Sequence, residues 1–141
     1  MKMIFITLLF TFYAPTLFAQ TDIKIISAKE LHDKYLGKKD FVLIDNRPQF
    51  KYQMGHIKDA LNLTYFKDGA SENVLNKEIL LKTIKDKKVI FYCTGHNRAY
   101  HAANDAITKW SIPKEKVIWF KGGMIEWNKE RYPFVSKVNG K

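Results

Sequence analysis

Short apolar runs alternate along this chain with segments whose apolar residues recur every three or four positions. The runs around Ile23 to Ile26, in "DFVLIDN" up to Asp45, in "DALNL", in "VIFY" up to Tyr92 and in "KVIWF" predict five short strands. Between them the period lengthens. Ser27 with Glu30 three residues later forms a capping box, opening a helix that carries Leu31, Tyr35 and Leu36 and stops at Gly37. Val74, Leu75, Ile79, Leu80 and Ile84 predict a second helix in "SENVLNKEILLKTIKDK". From Arg98 to Trp110, the residues Ala99, Ala102, Ala103, Ala106, Ile107 and Trp110 share one helical face. Met124 and Trp127 turn inward from a last helix in "GGMIEWNKERYP", while "RPQFKYQMGHI" reads as a polar connecting segment. Strands separated by helices predict an α/β fold with a mainly parallel sheet covered on both faces. Ligands of such sheets bind beyond the carboxyl ends of the strands, where Asp45 and Cys93 fall.

The 141 residues suffice for one domain with one core. Lys2, the apolar run from Met3 to Ala19 and the small residue Ala19 match the three regions of a secretory signal peptide. Residues 1–19 are therefore expected to be cleaved, leaving 20–141 as a periplasmic domain. A retained anchor fits less well, since the run is broken by Pro15 and falls short of the ~20 residues that span a bilayer. No stable membrane anchor is expected after cleavage. The formal charge is +10, one unit of it from Lys2, with lysines scattered among acidic residues. That describes a solvated basic surface, and for an exported protein it favours small anions or an anionic membrane surface over nucleic acid.

Cys93 is the one cysteine, so no internal disulfide can form, and an odd thiol in an exported chain is either a liability or a tool. Thr94, Gly95, His96 and Asn97 separate it from Arg98, a C-x4-R spacing between a strand and a helix. If the backbone N–H groups of such a loop converge, they form an anion cradle beside a helix N-terminus. The same field favours a thiolate, and Arg98 adds forked donors for an oxyanion. The alternative is a cysteine that merely fills the core.

Asp45 reads equally as a turn cap or as an acceptor ordering the rim of the site through Arg47 or Arg98. Arg47 reads as a structural ion pair ahead of an anion-steering group. His96 is a candidate donor or proton shuttle, with plain exposure as the rival reading. Gly122-Gly123 reads as a tight start to the last helix, and Trp119, Phe120 and Trp127 as core or pocket wall. His32, His56, His96 and His101 lack a zinc-ligand spacing, so no metal site is expected.

Three blocks together resemble the rhodanese family of sulfurtransferases. "LIDNRPQFKYQMGHIKDALNL" is similar to its D-x-R...Y-x-x-G-H-I-x-x-A-x-N segment, "VIFYCTGHNRA" to its active-site loop, and "VIWFKGGMIEWNKERYPF" to its G-G-x-x-x-W...P ending. The resemblance implies a five-stranded parallel sheet flanked by helices and a persulfide on Cys93. It further implies a small anionic donor such as thiosulfate, a cyanide or thiol acceptor, and no organic cofactor. An unidentified periplasmic redox or sulfur-carrier protein is a further candidate partner. His56 resembles the family's structural histidine. The family loop often reads C-x-x-G-x-R, whereas here His96 holds the glycine position and Gly95 precedes it. Cysteine phosphatases and arsenate reductases on the same fold use the longer C-x5-R loop, which ranks them second. A non-catalytic anion- or partner-binding module ranks third, because such domains usually lack the cysteine.

Overall fold

A computed structural model describes residues 21–137. The expected signal segment 1–19 lies outside them. Five parallel strands form one sheet: β1 (Lys24–Ile26), β2 (Phe41–Asp45), β3 (Leu61–Asn62), β4 (Lys88–Tyr92) and β5 (Val117–Phe120), in the order β1-β5-β4-β2-β3. Side chains alternate along each strand, so both faces are apolar. Ile44, Val89, Phe91 and Val117 enter one core with Ala99, Ala102, Ala103 and Ala106 of α4 (Arg98–Thr108) and Leu80 and Ile84 of α3 (Lys77–Ile84). Leu43, Ile90, Tyr92, Ile118 and Phe120 enter a second core with Ala28 of α1 (Ala28–Glu30) and with Met124 and Trp127 of α5 (Gly123–Lys129). The expected α/β architecture, with helices on both faces, is the one observed.

Several element boundaries differ from the sequence reading. Ser27 caps α1 by accepting from Glu30 N at 3.1 Å, but the chain then widens into a π turn over Leu31–Tyr35. α3 begins later than its apolar spacing implied. Asn76 accepts from Ile79 N at 2.9 Å and sets the start, leaving Val74 and Leu75 in the loop, where Leu75 still reaches the core. β3 is only two residues long. The segment read as polar contains a helix, α2 (Gln49–Met54), none of whose residues is buried.

The chain runs outward from β2 to β3 on one side and from β4 to β5 on the other. The crevice between the carboxyl ends of β2 and β4 is therefore the topological switch point of the sheet. Asp45 pairs with Tyr92 in register there, and Cys93 is the next residue. Asp45 is fully buried and forms a bidentate ion pair with the buried Arg47: Nη2 donates at 2.7 Å and Nε at 3.0 and 3.1 Å. Arg47 N also donates to Asp45 at 2.9 Å, and Nη2 reaches Gly55 O at 2.6 Å, so the pair staples the start and end of α2 beneath the crevice. Burial opposes the guanidinium charge, yet the Asp45 contacts outweigh it and hold the Arg47 pKa above its ordinary value.

The loop that follows Cys93 is docked on the start of α5. Met124 N donates to Cys93 O at 3.0 Å and Ile125 N to Thr94 O at 2.9 Å. This approach is possible only because Gly123 has no Cβ, which would lie 2.3 Å from Cys93 O and 2.7 Å from Gly95 N. Gly123 also adopts φ +53°.

Two stability outcomes follow from these contacts. Arg47→Ala strands a buried carboxylate and is expected to cost about 3–5 kcal/mol, read as a lower urea midpoint. A loss below about 1 kcal/mol would show that the pair carries little of the fold. Gly123→Ala is expected to cost about 1–3 kcal/mol from its backbone conformation alone. Its Cβ must also push the Cys93 loop away, so the crystal structure of this variant is expected to show the loop displaced from α5. An undisplaced loop at unchanged stability contradicts the close-packing account.

Candidate active site

β4 delivers Cys93 to the carboxyl edge of the sheet, and α4 begins five residues later, so the intervening loop turns back across the helix N-terminus. A trans peptide points its C=O and its N–H in opposite directions. With the carbonyls of Cys93 and Thr94 held against α5, the N–H groups of Thr94 and Gly95 face away from it. Among the described residues, the N–H groups of Thr94, Gly95, His96 and Asn97 donate to no protein acceptor. Asn97 caps α4 without a side-chain hydrogen bond, so the free N–H groups of the helix's first turn add their positive potential on the same side.

Cys93 is 3 % exposed and its Sγ lies 3.3 Å from His96 O. It forms the floor of a pocket of about 460 Å³ lined also by Thr94, His96 and Arg98, with Lys51, Phe66, Lys67 and His101 completing the wall. No carboxylate lines this pocket. The Arg98 guanidinium stacks over the Phe66 ring at 4.3 Å, a cation–π contact that holds it beside the mouth.

The predicted loop residues separate into three positions. Cys93, Thr94, His96 and Arg98 meet in the pocket, Gly95 packs on its far side against Gly122, and Asn97 is exposed at the helix cap outside the lining. His96 does not need the conformation of the glycine whose place it holds. Gly95 takes the positive φ, +141°, and His96 is absent from the left-handed region. Asp45 and Arg47 lie below the loop as a structural pair, and Arg98 makes no contact with Asp45. Tyr92, whose hydroxyl accepts from Ile57 N at 3.2 Å, is held un-ionised by burial and then by the Asp45 charge. His56 is structural: its Nδ1 lies 2.8 Å from Tyr52 O and its ring stacks on Tyr52 at 3.7 Å.

Lys51, Phe66, Lys67 and His101 were not singled out from sequence as site residues. The first three follow the carboxyl ends of β2 and β3, which is the signal that could have found them. His101 sits one helical turn after Arg98, on the same side of α4.

Comparison with known proteins agrees with this architecture. Residues 27–130 match the model of the rhodanese-like domain. A protein named tRNA uridine(34) hydroxylase, from Wigglesworthia glossinidia brevipalpis, is 32 % identical over 113 aligned positions, the match covering 73 % of this chain and 33 % of that protein. The chain thus spans about one third of the length of the curated relatives it matches. A thiosulfate sulfurtransferase from Pseudomonas aeruginosa superimposes with a TM-score of 0.64 at 16 % identity, covering 82 % of this chain and 20 % of that one. A Rhodopseudomonas palustris structure described as a possible tyrosine phosphatase gives a TM-score of 0.58 at 22 % identity, over 80 % of this chain and 85 % of that one. With that model matched over residues 27–130, most of its length, this chain belongs to the rhodanese-like domain family.

Proposed function

We propose that the protein is a sulfurtransferase that moves a sulfane sulfur from a small anionic donor such as thiosulfate, through Cys93, to a thiophilic acceptor. The observation that carries this reading is the orientation of the loop. The carbonyls of Cys93 and Thr94 are tied to α5, the N–H groups of Thr94 and Gly95 on the opposite side are free, and Sγ, which donates to His96 O, opens into a basic pocket without a carboxylate. The Cys93 thiolate attacks the outer sulfur of thiosulfate, an Sγ–S bond forms, the donor's S–S bond breaks, and the bonding pair leaves with sulfite. The persulfide anion left on Cys93 carries its charge where the loop N–H groups and the N-terminus of α4 can meet it. Cyanide or a thiolate then attacks the outer sulfur, and the Cys93 thiolate is released. None of these steps requires a metal or organic cofactor. The basic segment before Met3 and the apolar run up to Ala19 support action after export.

Two further readings are ranked below it. A tetrahedral phosphate or arsenate needs donors on several oxygens, and the loop from Cys93 to Arg98 is one residue shorter than the C-x5-R loops of the enzymes that bind them. A tRNA-directed role is favoured by the names of the curated relatives and by the basic surface. At physiological ionic strength, however, the small concave pocket suits a small anion better than a polyanion.

Steady-state assay of thiosulfate:cyanide transfer tests the proposal. Cys93→Ser is expected to reduce turnover on the order of 10⁴-fold with folding intact. Retained turnover would remove Cys93 from the mechanism. Arg98→Ala is expected to slow the reaction with thiosulfate by about ten- to a hundredfold and to weaken its salt dependence, because one charge is lost from a cradle that backbone groups also form. Lys at position 98 restores only part, lacking the planar fork. An Arg98→Ala enzyme with unchanged rate and salt response would place the guanidinium outside the site. Hydrolysis of aryl phosphates that depends on Cys93, or tRNA competing with thiosulfate at physiological salt, would overturn the ranking.

A further inference from the structure

Beside the Cys93 pocket lies a second depression of about 390 Å³, lined by residues of α2 and α5 and by Phe134. Thr94 and Lys51 line both, so the two are lobes of one cleft that meet at the active-site loop. The second lobe is apolar and its side chains project outward. Phe50 and Met54, four residues apart on α2, are 60 % and 65 % exposed, Ile125 is 55 % and Phe134 is 50 % exposed. Four large apolar side chains on the surface around one depression are more than folding explains, since α2 buries no residue at all.

The lobe is preformed. Phe134 packs over Gly55, where an added Cβ would lie 2.9 Å from its ring. The tail is tied down just beyond Phe134. His56 N donates to Val135 O at 2.9 Å, Val135 N to His56 O at 2.8 Å, and Lys137 N to Gln53 O at 3.0 Å. Phe134 is thus held in place on the wall of the lobe, which lowers the ordering cost of docking there.

We infer that the apolar lobe docks the sulfur acceptor, a protein segment bearing a cysteine with a large apolar residue on one side and acidic residues on the other. The inference rests on the sulfur-transfer reading of Cys93. Charge and shape select this occupant. Neither lobe contains a carboxylate, while Lys51, Lys67 and Arg98 border the Cys93 side and form no ion pair among the described residues. Small-molecule sites enclose about 70–90 % of their ligand, which side chains half or more exposed around an open depression do not do. Projecting aromatic and methionine side chains beside a charged rim are instead the composition of protein interfaces. With the apolar residue in one lobe and the acidic residues in the other, the intervening cysteine lies over Thr94, next to the persulfide. Its thiolate attacks the outer sulfur, a new S–S bond forms on the partner, and the bond to Cys93 Sγ breaks with its electron pair returning to Cys93.

Two short synthetic peptides test this, one with cysteine between Leu-Phe and Asp-Glu and one with Ser-Ser in place of Leu-Phe. Labelled versions carrying serine for cysteine report docking by fluorescence anisotropy without any sulfur chemistry. The cysteine versions report discharge of the thiosulfate-loaded protein. The apolar peptide is expected to bind and to discharge about tenfold better than its Ser-Ser counterpart, and Phe50→Ser/Met54→Ser is expected to abolish that difference. Cyanide, too small to use the lobe, is expected to discharge this variant at the wild-type rate. Equal behaviour of the two peptides, an unaltered preference in the double variant, or faster discharge by a small free thiol than by either peptide would overturn the docking site. Failure of thiosulfate to release sulfite would instead sink the sulfur-transfer reading, and the anisotropy comparison would still decide whether the lobe docks the peptide.

Discussion

The site depends on one contact, the seating of the Cys93 loop on the start of α5. Two α5 N–H groups take the carbonyls of Cys93 and Thr94, and Gly123 lets the backbones come within the distance of a missing Cβ. Because a trans peptide is planar, fixing its carbonyls fixes its N–H groups too. The cradle is therefore not an independent design. The N–H groups of Thr94 and Gly95 point away from α5 because their opposite ends are occupied, and the cost of ordering them is met during folding.

Around that contact the molecule separates packing from chemistry. The buried Asp45–Arg47 pair neutralises itself beneath the crevice and ties α2 in place, while the cations that face the pocket, Lys51, Lys67 and Arg98, stay clear of carboxylates. Arg98 is oriented by the Phe66 ring instead. A carboxylate partner would orient a guanidinium equally well but would cancel part of the positive potential around the buried thiol. The apolar lobe meets this basic pocket at Thr94 and Lys51.

The fold was legible because strands buried on both faces read as continuous apolar runs, and α4 showed its alanine face without ambiguity. α2 was not, since Phe50 and Met54 point outward and leave no core-facing stripe for periodicity to detect. Leu75 misled for the opposite reason: a buried leucine in a loop looks like the first turn of the helix that follows. At the site, Cys93, the loop spacing and Arg98 were readable as a local motif, whereas Phe66, Lys67 and Lys51 reach the pocket only through tertiary approach. Gly123 was legible as a special backbone position, but its role lies in what it touches, and no local pattern contains that. The same holds for His96, whose departure from the family loop became interpretable once Gly95 was seen to take the positive φ.

The central claim is that the loop stabilises an anionic sulfur on Cys93. Intact-mass measurement of the protein after thiosulfate treatment and removal of excess donor addresses it most directly. The account predicts a gain of one sulfur atom, located on the peptide containing Cys93 and removed by cyanide with recovery of the original mass. An unchanged mass under conditions in which the thiol is reduced and accessible to alkylation would contradict it.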